Sequence, residues 1–153
     1  MFRDKSNCAR WFEKTKQIWN GQDILIVEGE LSRLGVGNDL FANAKSIQRV
    51  LGPAVNAYDK YDELLTAAKQ YGQGKLILLA LGMTATVMAY DLAKAGYWAI
   101  DIGHIDIEYE WFLQGAAEKV PVKGRRVFEV ANGRDVSDEV DPAYWEQIIC
   151  KIL

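Results

Sequence analysis

Asp23-Ile-Leu-Ile-Val-Glu-Gly-Glu-Leu-Ser-Arg-Leu-Gly-Val-Gly-Asn-Asp-Leu-Phe41 is the stretch whose reading decides the fold. Ile24 to Val27 is a short apolar run with β-branched residues, suited to a strand covered on both faces. The carboxylates Glu28 and Glu30 follow it, then Arg33 and a glycine-rich turn. Gly35 and Gly37 allow the backbone to turn tightly and to approach a ligand closely. Asn38 or Asp39 can cap a helix, which the pattern predicts from about Asp39 to Val50. A helix starting at a strand end turns free N–H groups and its dipole toward a phosphate. The stretch therefore points to a nucleotide or phosphate site. Its Gly-x-Gly lacks the third glycine of a dinucleotide fingerprint, and no Gly-Lys-Ser/Thr follows. A tight strand-to-helix turn with surface charges is the competing reading.

Outward from this stretch the pattern alternates. Trp11, Phe12, Thr15, Ile18 and Trp19 fall at helical spacing, predicting an amphipathic helix over Ala9 to Trp19. Gly52-Pro53 breaks the helix expected from Asp39, and a short extended piece to Asn56 follows. Tyr58 to Tyr71 reads as a second amphipathic helix closed by Gly72 and Gly74. Lys75 to Leu81 is a strand-length apolar run, Thr84 to Ala95 a helix ended by Gly96, and Tyr97 to Ile102 a third strand. Beyond Gly115 the pattern predicts short strands within Val120 to Val130 and a polar loop over Asn132 to Glu139. Asp141-Pro142 starts a final helix to about Lys151, with proline at an early helical position. Strands alternating with helices predict an α/β fold, a single-domain Rossmann-like parallel sheet with flanking helices.

Composition narrows the function classes. The 153 residues are half apolar and one quarter charged, enough for one domain with a real core. A net charge of −3 shows no basic excess, which argues against a nucleic-acid partner. No apolar run reaches the length of a membrane span, and Met1-Phe-Arg-Asp-Lys-Ser-Asn7 lacks the apolar core of a signal peptide. Cys8 and Cys150 suggest neither a disulfide framework nor a zinc site. The expected location is cytoplasmic.

In open α/β sheets ligands sit at the carboxyl ends of the strands. Three such ends are legible: Glu28-Gly-Glu30, Gly82 to Thr86, and Gly103 to Glu108. His104, Asp106 and Glu108 are spaced i, i+2, i+4, which in an extended segment puts all three on one face. Asp106 and Glu108 at that spacing can share Mg²⁺ or Mn²⁺ through hard oxygen ligands, and such an ion bridges nucleotide phosphates. Structural hydrogen bonding by His104 at a solvated strand end is the competing reading. Glu28 and Glu30 can bind metal or sugar hydroxyls or act as a base, and Arg33 can fork onto a phosphate. A self-neutralising charge cluster competes with that. Thr84 can cap its helix or hold phosphate, and Tyr109 and Trp111 can stack on a ring or pack in the core.

At these residues the chain resembles the GT-D fold glycosyltransferases, long a bacterial domain of unknown function. The resemblance is carried by Glu28 to Phe41, by Ala80-Leu-Gly-Met-Thr-Ala-Thr-Val-Met-Ala-Tyr-Asp-Leu-Ala93, and by Ile100-Asp-Ile-Gly-His-Ile-Asp-Ile-Glu-Tyr-Glu-Trp-Phe112. It covers about Asp4 to Val130. It implies metal-assisted transfer of a sugar, typically glucose, from a UDP-sugar to a surface glycoprotein or glycan, as in protein glycosylation or cell-surface polysaccharide assembly. The family's Asp-x-Glu motif is matched by Asp106-Ile-Glu108, which makes Asp106 and Glu108 the expected catalytic and metal residues, with Mn²⁺ or Mg²⁺ as cofactor. Glu28 joins them as a catalytic candidate. Glu30, Arg33, Gly35, Gly37, Asn38, Asp39, Thr84 and His104 are then the expected nucleotide-sugar-binding residues.

Two departures stand out. The family is expected to carry an amino-terminal half, absent here, whose Arg-Phe-Gly-Asp-Gly-Glu-like segment is also an Asp-x-Glu pattern, so the motif has two candidate locations. Met83 stands where proline is expected. The first reading is a glycosyltransferase with Glu28, Glu30, His104 and Glu110 all open as base. The second is a truncated, non-catalytic remnant that binds nucleotide or a partner, as a homodimer or with a separate amino-terminal half. A metal-dependent phosphohydrolase ranks last, because His104 is the single histidine.

Overall fold

Strand β1 (Asp23–Gly29) forms where the apolar run predicts it, and Ile24 to Val27 are fully buried. The computed structural model describes residues 4–127, 130–133 and 141–153. Helix α1 (Lys5–Lys16) precedes β1, capped by Asp4, whose carboxylate accepts from the Asn7 N–H. Then come β2 (Ser46–Gly52), a 3₁₀ turn (Ala57–Lys60), α2 (Tyr61–Tyr71), β3 (Leu76–Ala80) and α3 (Met83–Lys94). The chain continues through β4 (Trp98–Asp101), α4 (Ile105–Leu113), α5 (Pro142–Gln147) and β5 (Ile148–Lys151).

The strands make one five-stranded sheet in the order β4-β3-β1-β2-β5, with every pairing parallel. Parallel neighbours require crossovers of one hand, so the direction of travel selects the face. The chain moves from β2 to β3 and on to β4 in one direction, and α2 and α3 share one face. It moves from β1 to β2, and later from β4 to β5, in the other. The segment after β1 and helix α4 accordingly share the opposite face.

The two cores confirm this. Leu25, Val27, Ile77 and Leu79 pack with Leu64, Ala68, Met88 and Leu92 of α2 and α3. Ile24, Ile26, Leu76 and Leu78 pack with Phe12, Leu40, Phe41, Ile107 and Trp111. Each fully buried branched side chain contributes about 1.5–3 kcal/mol. The reversal of direction makes a switch point between β1 and β3, the place where such sheets open a crevice.

The helix expected over Asp39 to Val50 does not form. Residues 30–45 make a chain of turns, and Ser46 to Gly52 is a strand in register with all of β1. Leu40, Ala44, Ile47 and Leu51 happen to fall at helical spacing, but pairing with β1 offers their backbone a ladder that a helix could not. Gly35 and Gly37 do adopt the left-handed conformation expected of a tight turn, at φ 72° and 80°. Asn38 and Asp39 cap nothing helical.

Three further expectations are corrected. His104 to Glu108 is not extended: His104 is the N-cap of α4, and Asp106 and Glu108 lie on that helix. No strand occurs in Val120 to Val127; that segment folds as turns, while residues 128–129 and 134–140 of the expected strand and loop lie outside the described residues. The final helix stops at Gln147, and Ile148–Lys151 pairs with β2 as the edge strand β5. Pro142 does sit in the first turn of that helix, whose cap is Asp141.

Candidate functional site

Every strand end toward which the sequence points opens on one cleft. It has a volume of about 890 Å³ and is lined from the ends of β1, β2, β3 and β4 and from the first turns of α3 and α4. That volume suits a ligand of nucleotide-sugar size. Gly82, with φ 59° and ψ −141°, turns β3 into α3 in a conformation open to glycine alone. No side chain caps α3. The Ala85 N–H donates to the Gly82 carbonyl at 3.0 Å, so the N–H groups of Met83 and Thr84 and the positive end of the dipole are what this helix presents at the cleft. Thr84 lies just inside, and Met83 stands almost wholly exposed at the rim. Across the opening, Asp101 accepts from Thr86 Oγ1 at 2.7 Å and from the Gly103 N–H at 3.0 Å. His104 and Arg126 complete the polar lining.

The acidic and glycine-rich signature residues have a different fate. Glu28 is fully buried, with Oε1 2.5 Å from Arg49 Nη1 and Oε2 accepting from the Leu34 N–H at 2.8 Å. Asp106 Oδ1 accepts from the Gly35 N–H and from Asn38 Nδ2, both at 2.9 Å, and Oδ2 lies 2.6 Å from Arg125 Nε. Arg125 also donates to the carbonyls of Arg33 and Val36 and pairs with Glu110 at 3.2 Å. Asn38 donates to Glu110 as well. Arg33 is buried, at φ 49°, and donates to the Gly124 carbonyl. Burial pushes the carboxyls of Glu28 and Asp106 above the ordinary range, while the arginine beside each pulls the other way. Together these groups hold residues 31–44 in place.

The remaining expected residues scatter. Asp39 is exposed and binds Lys16 and the Tyr109 hydroxyl, outside the cleft. The Glu30 N–H extends the sheet by donating to Gly52 O at 3.0 Å. Gly37 borders two small hollows of about 300 Å³ behind the loop. Tyr109 and Trp111 lie in the core rather than on a ring-stacking surface; Phe12 meets Tyr109 edge-on at 4.7 Å. Thr84, His104 and Asp106 do reach the cleft.

A divalent ion shared by Asp106 and Glu108 does not fit these residues. The Asp106 carboxylate already faces an arginine, an amide N–H and an asparagine, so a cation would have to displace Arg125. Residues two apart on a helix lie about 200° apart around its axis, which turns Glu108 away. Among the described residues no group of three His, Cys, Asp or Glu side chains is placed to hold a metal.

Sequence reading missed Arg49, Arg125, Asp101 and Arg126. A charge inside the apolar pattern of β2 was the available signal for Arg49. The basic run Lys123-Gly-Arg-Arg126 was the signal for the other two arginines.

The sequence profile of the glycosyltransferase GT-D fold family matches residues 1–130. The chain belongs to this family. It is 46% identical over 149 residues to a probable glycosyl transferase Gly of Streptococcus gordonii, covering 97% of this chain and 22% of that protein. It is 45% identical over 152 residues to the glycosyltransferase GlyD of Streptococcus pneumoniae serotype 4, covering 99% of this chain and 19% of that one. A solved glycosyltransferase (DUF1792) from Streptococcus sanguinis superposes with a TM-score of 0.94 at 45% identity, over 98% of this chain and 56% of that chain. A second solved DUF1792 domain, described as having a distinct glycosyltransferase fold, gives 0.92 at 45% identity, over 98% and 54%. This GT-D chain thus spans about half the length of the solved relatives and about a fifth of the curated ones. No helix among its described residues is long and apolar enough to cross a membrane.

Proposed function

We propose that this chain holds the nucleotide-sugar donor of a glycosyltransferase in the cleft at the strand carboxyl ends. The donor the resemblance favours is UDP-glucose, and the acceptor a hydroxyl of a surface glycoprotein or glycan. The observation that carries the reading is the cleft itself: a cavity of about 890 Å³ at the sheet's switch point, with the uncapped N-terminus of α3 in its wall. The α3 N–H groups would receive the diphosphate. Asp101, its carboxylate oriented by Thr86 and Gly103, would accept hydrogen bonds from sugar or ribose hydroxyls.

In the transfer, the acceptor oxygen bonds to the anomeric carbon while the bond to the diphosphate oxygen breaks. The leaving diphosphate keeps that electron pair, and the acceptor proton passes to a base. Of the four candidate bases His104 alone lines the cleft; Glu28 is sealed behind the loop by Arg49. N–H groups and a dipole aimed at the leaving oxygens stabilise the charge that develops there.

Calorimetric titration of UDP and UDP-glucose into the chain, with and without Mn²⁺, tests the reading. Met83→Asp is the matched variant. A carboxylate in the first turn favours the helix, so the fold is retained, yet it stands at the cleft and repels diphosphate. The expected result is binding by the parent chain and at least ten-fold weaker binding by the variant. A well-folded parent chain that binds neither ligand would favour the second reading, a non-catalytic remnant or subunit. The divalent ion rests on the resemblance alone, and a requirement for it would place its ligands outside the Asp106–Glu108 pair.

A further inference from the structure

We propose that Arg126 is the cation that receives the donor's diphosphate in this cleft. The inference rests on the nucleotide-sugar reading and names the side chain that reading lacks. It begins from the charges of the wall. Asp59, Asp101 and Asp106 line the cleft on the acidic side, and among the described lining residues Arg126 is the one lysine or arginine. Asp106 is answered by Arg125, from behind the wall. Asp59 and Asp101 leave the opening acidic, and a diphosphate brings at least two further negative charges. The dipole of α3 offers about half a positive charge, too little to offset both. A fixed cation is needed, and Arg126 is placed to supply it.

The local structure holds it there. The Arg126 N–H donates to the Leu31 carbonyl at 3.1 Å, tying the backbone to a residue that also lines the cleft. The preceding residue is anchored more firmly, since Arg125 is buried against Asp106, Glu110 and two loop carbonyls. The two consecutive arginines therefore divide the work: Arg125 fixes the segment from inside, and Arg126 lines the cleft. A guanidinium suits the task, because its planar fork meets two phosphate oxygens at once.

Calorimetry with UDP, UMP and uridine on the parent chain, Arg126→Gln, Arg126→Lys and Lys123→Gln tests this. Lys123→Gln removes the same charge from the same segment, but Lys123 borders a different hollow, so it controls for net charge. The parent chain is expected to prefer UDP over UMP. Arg126→Gln should weaken UDP at least ten-fold and abolish that preference, and Lys123→Gln should leave it unchanged. Arg126→Lys should fall in between, with its thermal midpoint close to the parent's. UDP affinity equal to the parent's in a folded Arg126→Gln overturns the inference and leaves the site reading standing. If Arg126→Gln does not fold, parent-like affinity in Arg126→Lys does the same. A parent chain that binds neither UDP nor UMP overturns the site reading itself.

Discussion

Glu28 and Asp106 on one side, and Asp101 and His104 on the other, are polar residues at neighbouring ends of strands and helices, yet their surroundings are opposite. The first two are almost wholly enclosed, and each carboxylate meets an arginine and a backbone N–H of the loop 31–44. The second two are exposed at the cleft. The difference teaches that acidic residues in a signature can be framework. Two buried ion pairs, Glu28–Arg49 and Asp106–Arg125, set the position of an irregular loop that has no helix or ladder of its own. Arg49 itself is steadied by Gln147, the Leu34 carbonyl and the face of Tyr144, at 4.9 Å.

The sharpest break of that comparison is Asp106→Ala. It leaves Arg125 buried without its closest carboxylate, and removing one partner of a buried pair costs about 3–5 kcal/mol. Urea denaturation is expected to show a loss of that size. A loss below about 1 kcal/mol, with metal-dependent UDP binding abolished, would make Asp106 a ligand and reverse the assignment.

The two loop glycines give a finer contrast. A Cβ on Gly35 would sit 2.4 Å from the Phe41 ring at φ 72°, whereas one on Gly37, at φ 80°, would meet nothing within 4 Å. Gly35→Ala is expected to cost about 2–4 kcal/mol from overpacking and left-handed strain, and Gly37→Ala about 1 kcal/mol from strain alone. Equal midpoints in the same denaturant series would show that the loop is not held against Phe41.

The smallest effect belongs to the loop's exposed anchor. Hydrogen bonds from Lys16 and then Tyr109 hold the Asp39 carboxyl below its ordinary value of 3.8. A depressed native value means that the contact stabilises above the unfolded value and loses this as pH falls through the native one. Asp39→Asn should therefore be slightly less stable than the parent near pH 6, by about 0.5 kcal/mol. The gap should close as pH drops below about 4. A gap that widens on acidification would contradict the sign.

The sequence was a good guide where one local pattern had one reading. Ile24 to Val27 and Leu76 to Ala80 are continuous apolar runs of strand length, and both became central strands. Tyr61 to Tyr71 and Met83 to Lys94 were helices within a few residues of expectation. It misled where two periods overlap. The i, i+2, i+4 spacing of His104, Asp106 and Glu108 fits one face of an extended segment, yet His104 is the N-cap of α4 and the two carboxylates lie on that helix. That segment must carry the chain from the β4 edge back across the sheet, and a helix packed on α1 does so.

By itself, then, the sequence determined the parallel sheet and the convergence of its strand ends on one cleft, because burial and backbone pairing follow short-range apolar patterns. The tertiary structure alone decided which carboxylates are enclosed against an arginine and which stay exposed at that cleft. Glu28 finds Arg49 one strand away, and Asp106 finds Arg125 at the end of an irregular segment. Sheet register and chain return place those partners, and neither leaves a periodic trace in the sequence. A buried charge is settled by what stands opposite it in space.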